Sequence, residues 1–446
     1  MLGMHHKRQW IYEQKVTGPW QRLRKGTFTL LHLILFVTPW IVVRGNPALL
    51  IDLPARRLFV LGAIFTAADT IFLLMLLLFL AFSLFFFTSL FGRLWCGFAC
   101  PQTVFLDSWI RPLEEWIEGD WVHRRKRDEA GWTAARAWRK ALKWSLYLGI
   151  SLVIATTFAS YFAGARPLWS GQGSALEYTI VGIFTAVWFL DLAWFREQFC
   201  NYLCPYARFQ GALTDAETLM VEYVVPRGEP RGGADAKEAG RCIECNKCVV
   251  VCPQGIDIRD GFQLECIACA RCIDACDIVM EKLGHESLIT WSSPPAVPGA
   301  RRRRFRPRTV IYGGMLTGIA ALGITLLIGR VPFDAAVQRA PGSLFTMDAD
   351  GYVRNTYLLR VTNKRASTDK VAFHIQIDGL PAPQVLVQDF ALGTTESATI
   401  PLVIRVRAAD DLPRTIPFNV RVTSPSNQMR IPATFKTEGH IGTDTQ

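Results

Sequence analysis

Cys242-Ile-Glu-Cys-Asn-Lys-Cys-Val-Val-Val-Cys-Pro253 and, 24 residues on, Cys266-Ile-Ala-Cys-Ala-Arg-Cys-Ile-Asp-Ala-Cys-Asp277 decide how this 446-residue chain is read. Each run spaces its cysteines C-x2-C-x2-C-x3-C, the pattern of bacterial two-cluster ferredoxins, where the fourth cysteine ligates the other run's cluster. Three thiolates two residues apart wrap one iron–sulfur cube, and the fourth lies too far round to reach it. The expected ligand sets are therefore Cys242, Cys245, Cys248 and Cys276 for one [4Fe-4S] cluster, and Cys266, Cys269, Cys272 and Cys252 for the other. Zinc sites instead favour separated C-x2–4-C knuckles. Asp277 stands where Pro253 follows the first run.

The remaining four of the 12 cysteines form a second pattern. Cys96-Gly-Phe-Ala-Cys100-Pro101 and Cys200-Asn-Tyr-Leu-Cys204-Pro205 superpose at an offset of 104 residues, which also aligns Phe91 with Phe195, Trp95 with Phe199 and Phe105 with Phe209. An i, i+4 spacing sets both thiols of a motif on one helical face, and the proline discourages continuation. Together the motifs offer four soft ligands suited to Cu(I), zinc or iron–sulfur chemistry. A lone buried cysteine is only a small hydrophobe; the repetition beside a ferredoxin module favours a redox or metal site. Clusters of this kind also make disulfides a poor reading.

Working outward, half of the residues are hydrophobic and mean hydropathy is +0.20. A span needs about 20 apolar residues. Phe28–Val43, Ile71–Phe91, Trp144–Ala163 and Val310–Ile328 approach or meet that length; Thr179–Phe195 is shorter and carries Asp191. Leu58–Ala68 reads as an extension of the second span or a re-entrant piece. Five spans leave 32 Lys and Arg in residues 1–27, 92–143 and 196–308, against four in 44–70 and 164–177. The positive-inside rule then puts the N-terminus and ferredoxin module in the cytoplasm and the tail in the periplasm. The +11 net charge is thus mostly a topology signal, and no nucleic-acid partner is expected. Arg301–Arg308 reads as a flank contacting anionic membrane lipid. The long polar start, with no small-x-small cleavage site, is no ordinary signal peptide.

Asp191 is an intramembrane carboxylate, hence a functional candidate, though an ion pair with Arg93 or Arg196 serves equally well; Glu197 lies beside it and Asp69 opens the second span. His32 could ligate haem, but without a second intramembrane histidine a packed side chain is preferred. Met1, Met4, His5 and His6 could capture copper, although an unstructured start is the simpler reading. From about Phe333, alternating stretches at Tyr352–Thr362, Val371–Ile377, Ala398–Val406 and Ile416–Val422, separated by turn-rich segments, predict an antiparallel β-sandwich of immunoglobulin type. It lacks cysteine, and docking or stabilisation is its expected role.

Gly92-Arg-Leu-Trp-Cys-Gly-Phe-Ala-Cys-Pro-Gln-Thr103, Asp191-Leu-Ala-Trp-Phe-Arg-Glu-Gln-Phe-Cys-Asn-Tyr-Leu-Cys-Pro-Tyr206 and the paired ferredoxin runs together resemble the CcoG, FixG or RdxA family, nearly end to end. The family comprises membrane accessory factors for assembly of cbb3-type cytochrome oxidase. The resemblance implies an inner-membrane iron–sulfur protein that reduces Cu(II) to Cu(I) for the oxidase's copper centre, with Cys96, Cys100, Cys200 and Cys204 nearest the copper. Similar C-x3-C-P motifs occur in quinol-linked proteins of nitrate and nitrous oxide respiration.

The expected architecture is a multi-domain membrane protein: cytoplasmic segment 1–27, a transmembrane bundle over 28–205, a two-[4Fe-4S] ferredoxin domain over 206–308, a fifth helix over 309–330 and a periplasmic Ig-like sandwich over 331–446. The expected function is cupric reduction. Two rivals are a quinol-linked electron conduit, with the C-x3-C-P motifs structural, and a non-redox assembly or copper-handover factor. Expected partners are copper as substrate, a cytoplasmic or quinol electron donor, and oxidase subunits or copper chaperones.

Overall fold

The computed structural model describes residues 10–438 except 216, 233–239, 262, 293–305, 366–368, 388 and 410–411. Met1, Met4, His5 and His6 lie outside the described residues, as does most of Arg301–Arg308. The chain divides into two compact units: residues 1–38, 75–160 and 165–321 form one; residues 39–74, 161–164 and 322–446 form the other.

Among the described residues four helices are long and apolar enough to cross a membrane: Ala67–Phe91, Ala134–Ala163, Ala175–Phe195 and Pro307–Ile328. The most apolar stretches of the first and last bury nothing inside the protein. Leu73, Leu77, Leu80, Val310 and Ile324 point outward, an exterior that only lipid can solvate. The anticipated span Phe28–Val43 takes another form. Its helix runs from Pro19 to Val37, breaks at Thr38–Trp40 around Pro39, and gives way to short strands. The first turns carry Arg22, Arg24 and Lys25, so the apolar part is too short to join the four. Leu58–Ala68 is mostly sheet: Arg57–Val60 and Ala63–Phe65 are strands of a three-stranded antiparallel sheet with Leu49–Asp52, and Ala67 and Ala68 alone extend the second span. Its β-branched and aromatic residues suit that form.

Within the first unit, the ferredoxin module is framed by the antiparallel pair Met220–Tyr223 and Ile289–Ser292. It holds two helices, Lys247–Val250 and Arg271–Lys282, that pack together. Glu244 and Asn246 in the first run, and Ala268 and Ala270 24 residues later, all have left-handed backbones, with φ between 53° and 58°. Three of the four are not Asn or Gly, so the loop is strained at matching positions in both copies. Such reversals curl each cysteine run around a centre.

The second unit contains the sandwich. One sheet runs Gln384–Leu386, Ser397–Arg407, Tyr352–Asn363, Phe333–Arg339, with Thr346–Met347 at its edge; the other runs Phe390–Leu392, Val371–Asp378, Thr415–Ser424, Asn427–Lys436. Leu359, Val361, Phe373, Leu402, Ile404, Val420, Val422 and Phe435 alternate inward to form a closed core. Asp69 belongs here: its carboxylate meets Arg330 at 2.9 Å and Lys364 at 3.1 Å and accepts the Thr66 N–H. It is a buried structural anchor.

Candidate functional site

The two C-x3-C-P motifs share a backbone form that differs from one helical face. Cys96 sits in the short helix Leu94–Phe98, while Cys200 sits in a wide turn, Phe199–Leu203. In both, the second cysteine is extended and Pro101 or Pro205 starts a new helix, Pro101–Phe105 or Pro205–Leu213. Proline fits that first position because its missing N–H has no helical partner to lose. The Cys100 N–H donates to Trp95 O at 2.8 Å, and the Cys204 N–H donates to Phe199 O at 2.9 Å. The same five-residue closure, 104 residues apart, makes the repeat structural as well as textual.

The four thiols act on one another electrostatically. Burial raises Cys200, and Cys100, Cys96 and Cys204 raise it further. Burial pushes Cys96 up to about 12, with Cys100 and Cys204 adding to it. Cys96 Sγ lies 3.2 Å from Gln210 Oε1, its hydrogen-bond acceptor, and Gln210 is itself buried. Thiols so held are protonated when alone, and a bound cation is what would make them thiolates. Among the described residues, no three His, Cys, Asp or Glu side chains are gathered tightly enough to share a single ion.

In the ferredoxin module, Cys242, Cys245, Cys248 and Cys276 border one cavity. Cys252, Cys266, Cys269 and Cys272 border a second, at whose edge Cys248 also stands. Cys276 thus joins the first run's cavity, and Cys252, with Cys248, joins the second's. A set of four thiols around a void suits an iron–sulfur cube, so the donor chemistry fits. The two cavities differ in depth: Cys245 is exposed, whereas Cys269 is buried.

Cys96 connects the two systems. It packs in one buried cluster with Ile267 and Cys269, flanked by Tyr206. Gly97 makes that approach possible: a Cβ there would lie 2.7 Å from both the Ile267 and Ala268 carbonyl oxygens. The motif helix therefore lies backbone-to-backbone on the loop carrying Cys269. Arg93 ties the same corner by donating to the carbonyls of Leu264 and Ala207.

A buried charge network, mostly unforeseen from the sequence, holds this arrangement. Arg24 donates to Gly97 O at 2.9 Å and pairs with Asp107 at 2.5 Å. Arg271, one residue before Cys272, meets Glu13 at 2.6 Å and Asp107 at 3.3 Å. Arg111 joins Glu13, Asp107 and Glu197. Glu114 receives Arg196, Arg124 and Tyr147 at 2.6, 2.6 and 2.7 Å. Burial alone would favour neutral Glu114, but Arg196, Arg124 and Lys143 outweigh it and hold the carboxyl at about 2. Of its members the sequence reading names Arg196 and Glu197, and the i, i+4 spacing of Asp107 and Arg111 is a further local signal.

Two candidates remain, Asp191 and His32. Asp191 pairs with neither Arg93 nor Arg196, both committed elsewhere, and its Oδ1 is buried without a partner. His32 is packed: its Nδ1 lies 2.6 Å from Phe28 O, and the ring stacks on Trp109 with Phe105 at its edge.

Comparison with known proteins agrees with this geometry. Residues 195–294 match a 4Fe-4S dicluster domain, residues 71–127 a 4Fe-4S binding domain, and residues 323–438 an IG-like fold at the C-terminus of FixG. The chain is 36% identical to protein RdxA of Cereibacter sphaeroides over 83% of its own length and 82% of that protein's. The chain belongs to the FixG/RdxA family. It is also 34% identical to nitrogen fixation protein FixG of Rhizobium meliloti, covering 89% of this chain and 84% of that one. A crystal structure of a FixG-related protein from Vibrio parahaemolyticus aligns with 24% of the chain and 99% of its own, at 20% identity and a TM-score of 0.22. This FixG/RdxA member is a membrane-type iron–sulfur electron-transfer protein with a C-terminal Ig-like domain.

Proposed function

We propose that this FixG/RdxA protein reduces Cu(II) to Cu(I) at the four membrane-edge thiols, for insertion into the copper centre of a cbb3-type oxidase. The observation that carries the reading is the packing of Cys96 against Ile267 and Cys269, with Gly97 allowing backbone contact. When bound, the two clusters supply one-electron storage matched to a one-electron metal couple.

The chain's own residues supply the rest. Cys96, Cys100, Cys200 and Cys204 are soft donors that bind Cu(I) in preference to Cu(II), which makes reduction downhill. A bound cation would offset the cost of deprotonating these buried thiols, whose protons leave on metal binding. The exposed Cys245 and buried Cys269 give the module an outer end for a cytoplasmic reductant and an inner end facing Cys96. The Arg24, Asp107 and Arg271 network fixes the separation. No side chain is required as general acid or base, because the substrate gains only an electron. The Lys and Arg asymmetry supports a cytoplasmic ferredoxin module and a periplasmic C-terminal domain.

The test is anaerobic reduction of the purified protein, followed by titration with Cu(II) in the presence of a Cu(I)-specific chelator. Cluster reoxidation is expected to track Cu(I) formation one for one, and changing Cys96 and Cys200 to Ser is expected to abolish it. Reoxidation without matching Cu(I) overturns the reading. Cluster reduction by a quinol that survives both substitutions selects the conduit instead.

A further inference from the structure

A second polar cavity, of about 380 Å³, lies beside the first residues of the helix Ala134–Ala163 and the last of Ala175–Phe195. It is independent of the copper reading and touches none of the twelve cysteines. Seven cations and three carboxylates border it, leaving an excess of four positive charges. Arg136 is committed to Asp128 at 2.7 Å and Lys143 to Glu118 at 2.8 Å. Among the described residues, Arg127, Arg139 and Lys140 have no ion-pair partner. Arg127 donates to Glu118 O at 2.7 Å, and Lys140 sits over Trp132 and Trp144 at 4.9 and 5.7 Å. Arg139 is exposed on the same face.

Concentrating like charge without counter-charge costs energy unless an anion completes the site. The surroundings indicate which anion. Trp144 and Trp194, at the rim, stand at the ends of the two apolar helices and are 48% and 54% exposed, positions typical of the aromatic belt at headgroup level. Basic pockets between membrane helices at that depth suit phospholipid headgroups.

We propose that this cleft binds a phosphate anion, supplied by the headgroup of an anionic phospholipid in the adjoining leaflet, with Arg127, Arg139 and Lys140 as its ligands. The site differs from diffuse attraction to a basic flank because its three cations border one cavity.

The test is native mass spectrometry of the delipidated full-length protein, titrated separately with phosphatidylglycerol, phosphatidylcholine and inorganic phosphate. One phosphatidylglycerol per chain is expected, with phosphatidylcholine on the order of tenfold weaker. Arg139→Gln with Lys140→Gln is expected to weaken phosphatidylglycerol on the order of tenfold, about what two interfacial charges contribute. Unchanged iron and acid-labile sulfide establish that the variant is folded. Replacing Arg301 to Arg304 with Gln is expected to leave that one lipid bound. Equal affinity for both lipids, an unaffected double variant, or loss only on replacing Arg301 to Arg304 overturns the proposal. Inorganic phosphate that saturates the site and displaces the lipid, with the same sensitivity to the double variant, overturns the lipid as source.

Discussion

At the scale of single residues, Gly97 is where fold and chemistry meet. Its φ is not left-handed; what it contributes is an absent Cβ, which would otherwise sit 2.7 Å from two carbonyl oxygens. Backbone atoms cannot step aside as a flexible side chain can, so Gly97→Ala separates the Cys96 helix from the Cys269 loop. Overpacking of this kind costs about 1–3 kcal/mol, small enough for the protein to fold. Iron and sulfide content are therefore expected to stay at wild-type level, while Cu(II)-driven cluster reoxidation slows on the order of a hundredfold, the cost of about 1 Å of misplacement. Stopped-flow absorbance checks both.

Glu114 provides a residue-scale prediction of another kind. Its folded pKa, about 2, lies below its ordinary 4.5. A depressed carboxylate contributes stability that is fully present above the unfolded value and lost as pH falls through the folded one. The Glu114 contribution is thus constant down to about pH 4.5 and disappears toward pH 2. Glu114→Gln removes the nearest counter-charge of buried Arg196 and Arg124, leaving Glu197 at 3.5 Å and Glu118 at 3.8 Å, a loss on the order of 3 kcal/mol. Its thermal midpoint is expected to fall at pH 7 and to depend less on pH below 4.5 than the wild type, as scanning fluorimetry in detergent would record.

Between elements, the decisive contacts join segments far apart in sequence, and this sets what could be read in advance. The eight ferredoxin cysteines and the C-x3-C-P repeat were legible because their spacing is local. The alternating strands from Tyr352 to Val422 were legible for the same reason, whereas the edge strand Asn427–Lys436, interrupted by Pro432, was not. Nor was the helix Pro19–Val37, whose N-terminus is capped by another element. Asp274, on the ferredoxin helix Arg271–Lys282, accepts the Gln21 N–H at 2.9 Å and the Trp20 N–H at 3.2 Å. A carboxylate there satisfies orphan donors and the positive end of the helix dipole. No periodicity within residues 19–37 announces a cap 253 residues away. Gly18 lets the two approach: a Cβ would lie 2.7 Å from Asp274 Cβ and closer still to its carboxyl. Gly18→Ala is expected to displace that cap at a cost of about 1 kcal/mol. Faster hydrogen exchange at residues 19–24, with the rest of the ferredoxin module unchanged, is the expected observation.

For the whole molecule, sidedness depends on how many helices cross. The segments assigned to the outer side by their four Lys and Arg, 44–70 and 164–177, and the C-terminal tail compare with the second unit, which comprises residues 39–74, 161–164 and 322–446. Most of the outer segments fall in it; residues 165–177 do not. The first unit takes the N-terminus, the 92–143 segment and the ferredoxin module. Among the described residues four helices qualify as spans by length and composition, and an even number of crossings would put residues 10–18 and the C-terminal domain on one side. The short apolar helix Pro19–Val37 is the expected fifth crossing, because the Lys and Arg asymmetry calls for an odd number. Its Arg22, Arg24 and Lys25 then sit at the positive side, where they favour retention in the cytoplasm. A reporter fused after residue 446 is therefore expected to be active only as alkaline phosphatase, and one fused after residue 15 only as a fluorescent protein. If helix 19–37 does not cross, both ends report the same compartment. Truncating the chain before residue 39 would then leave the C-terminal reporter unchanged, whereas a real fifth crossing makes that truncation move the positive-inside balance onto four helices and weaken the periplasmic signal.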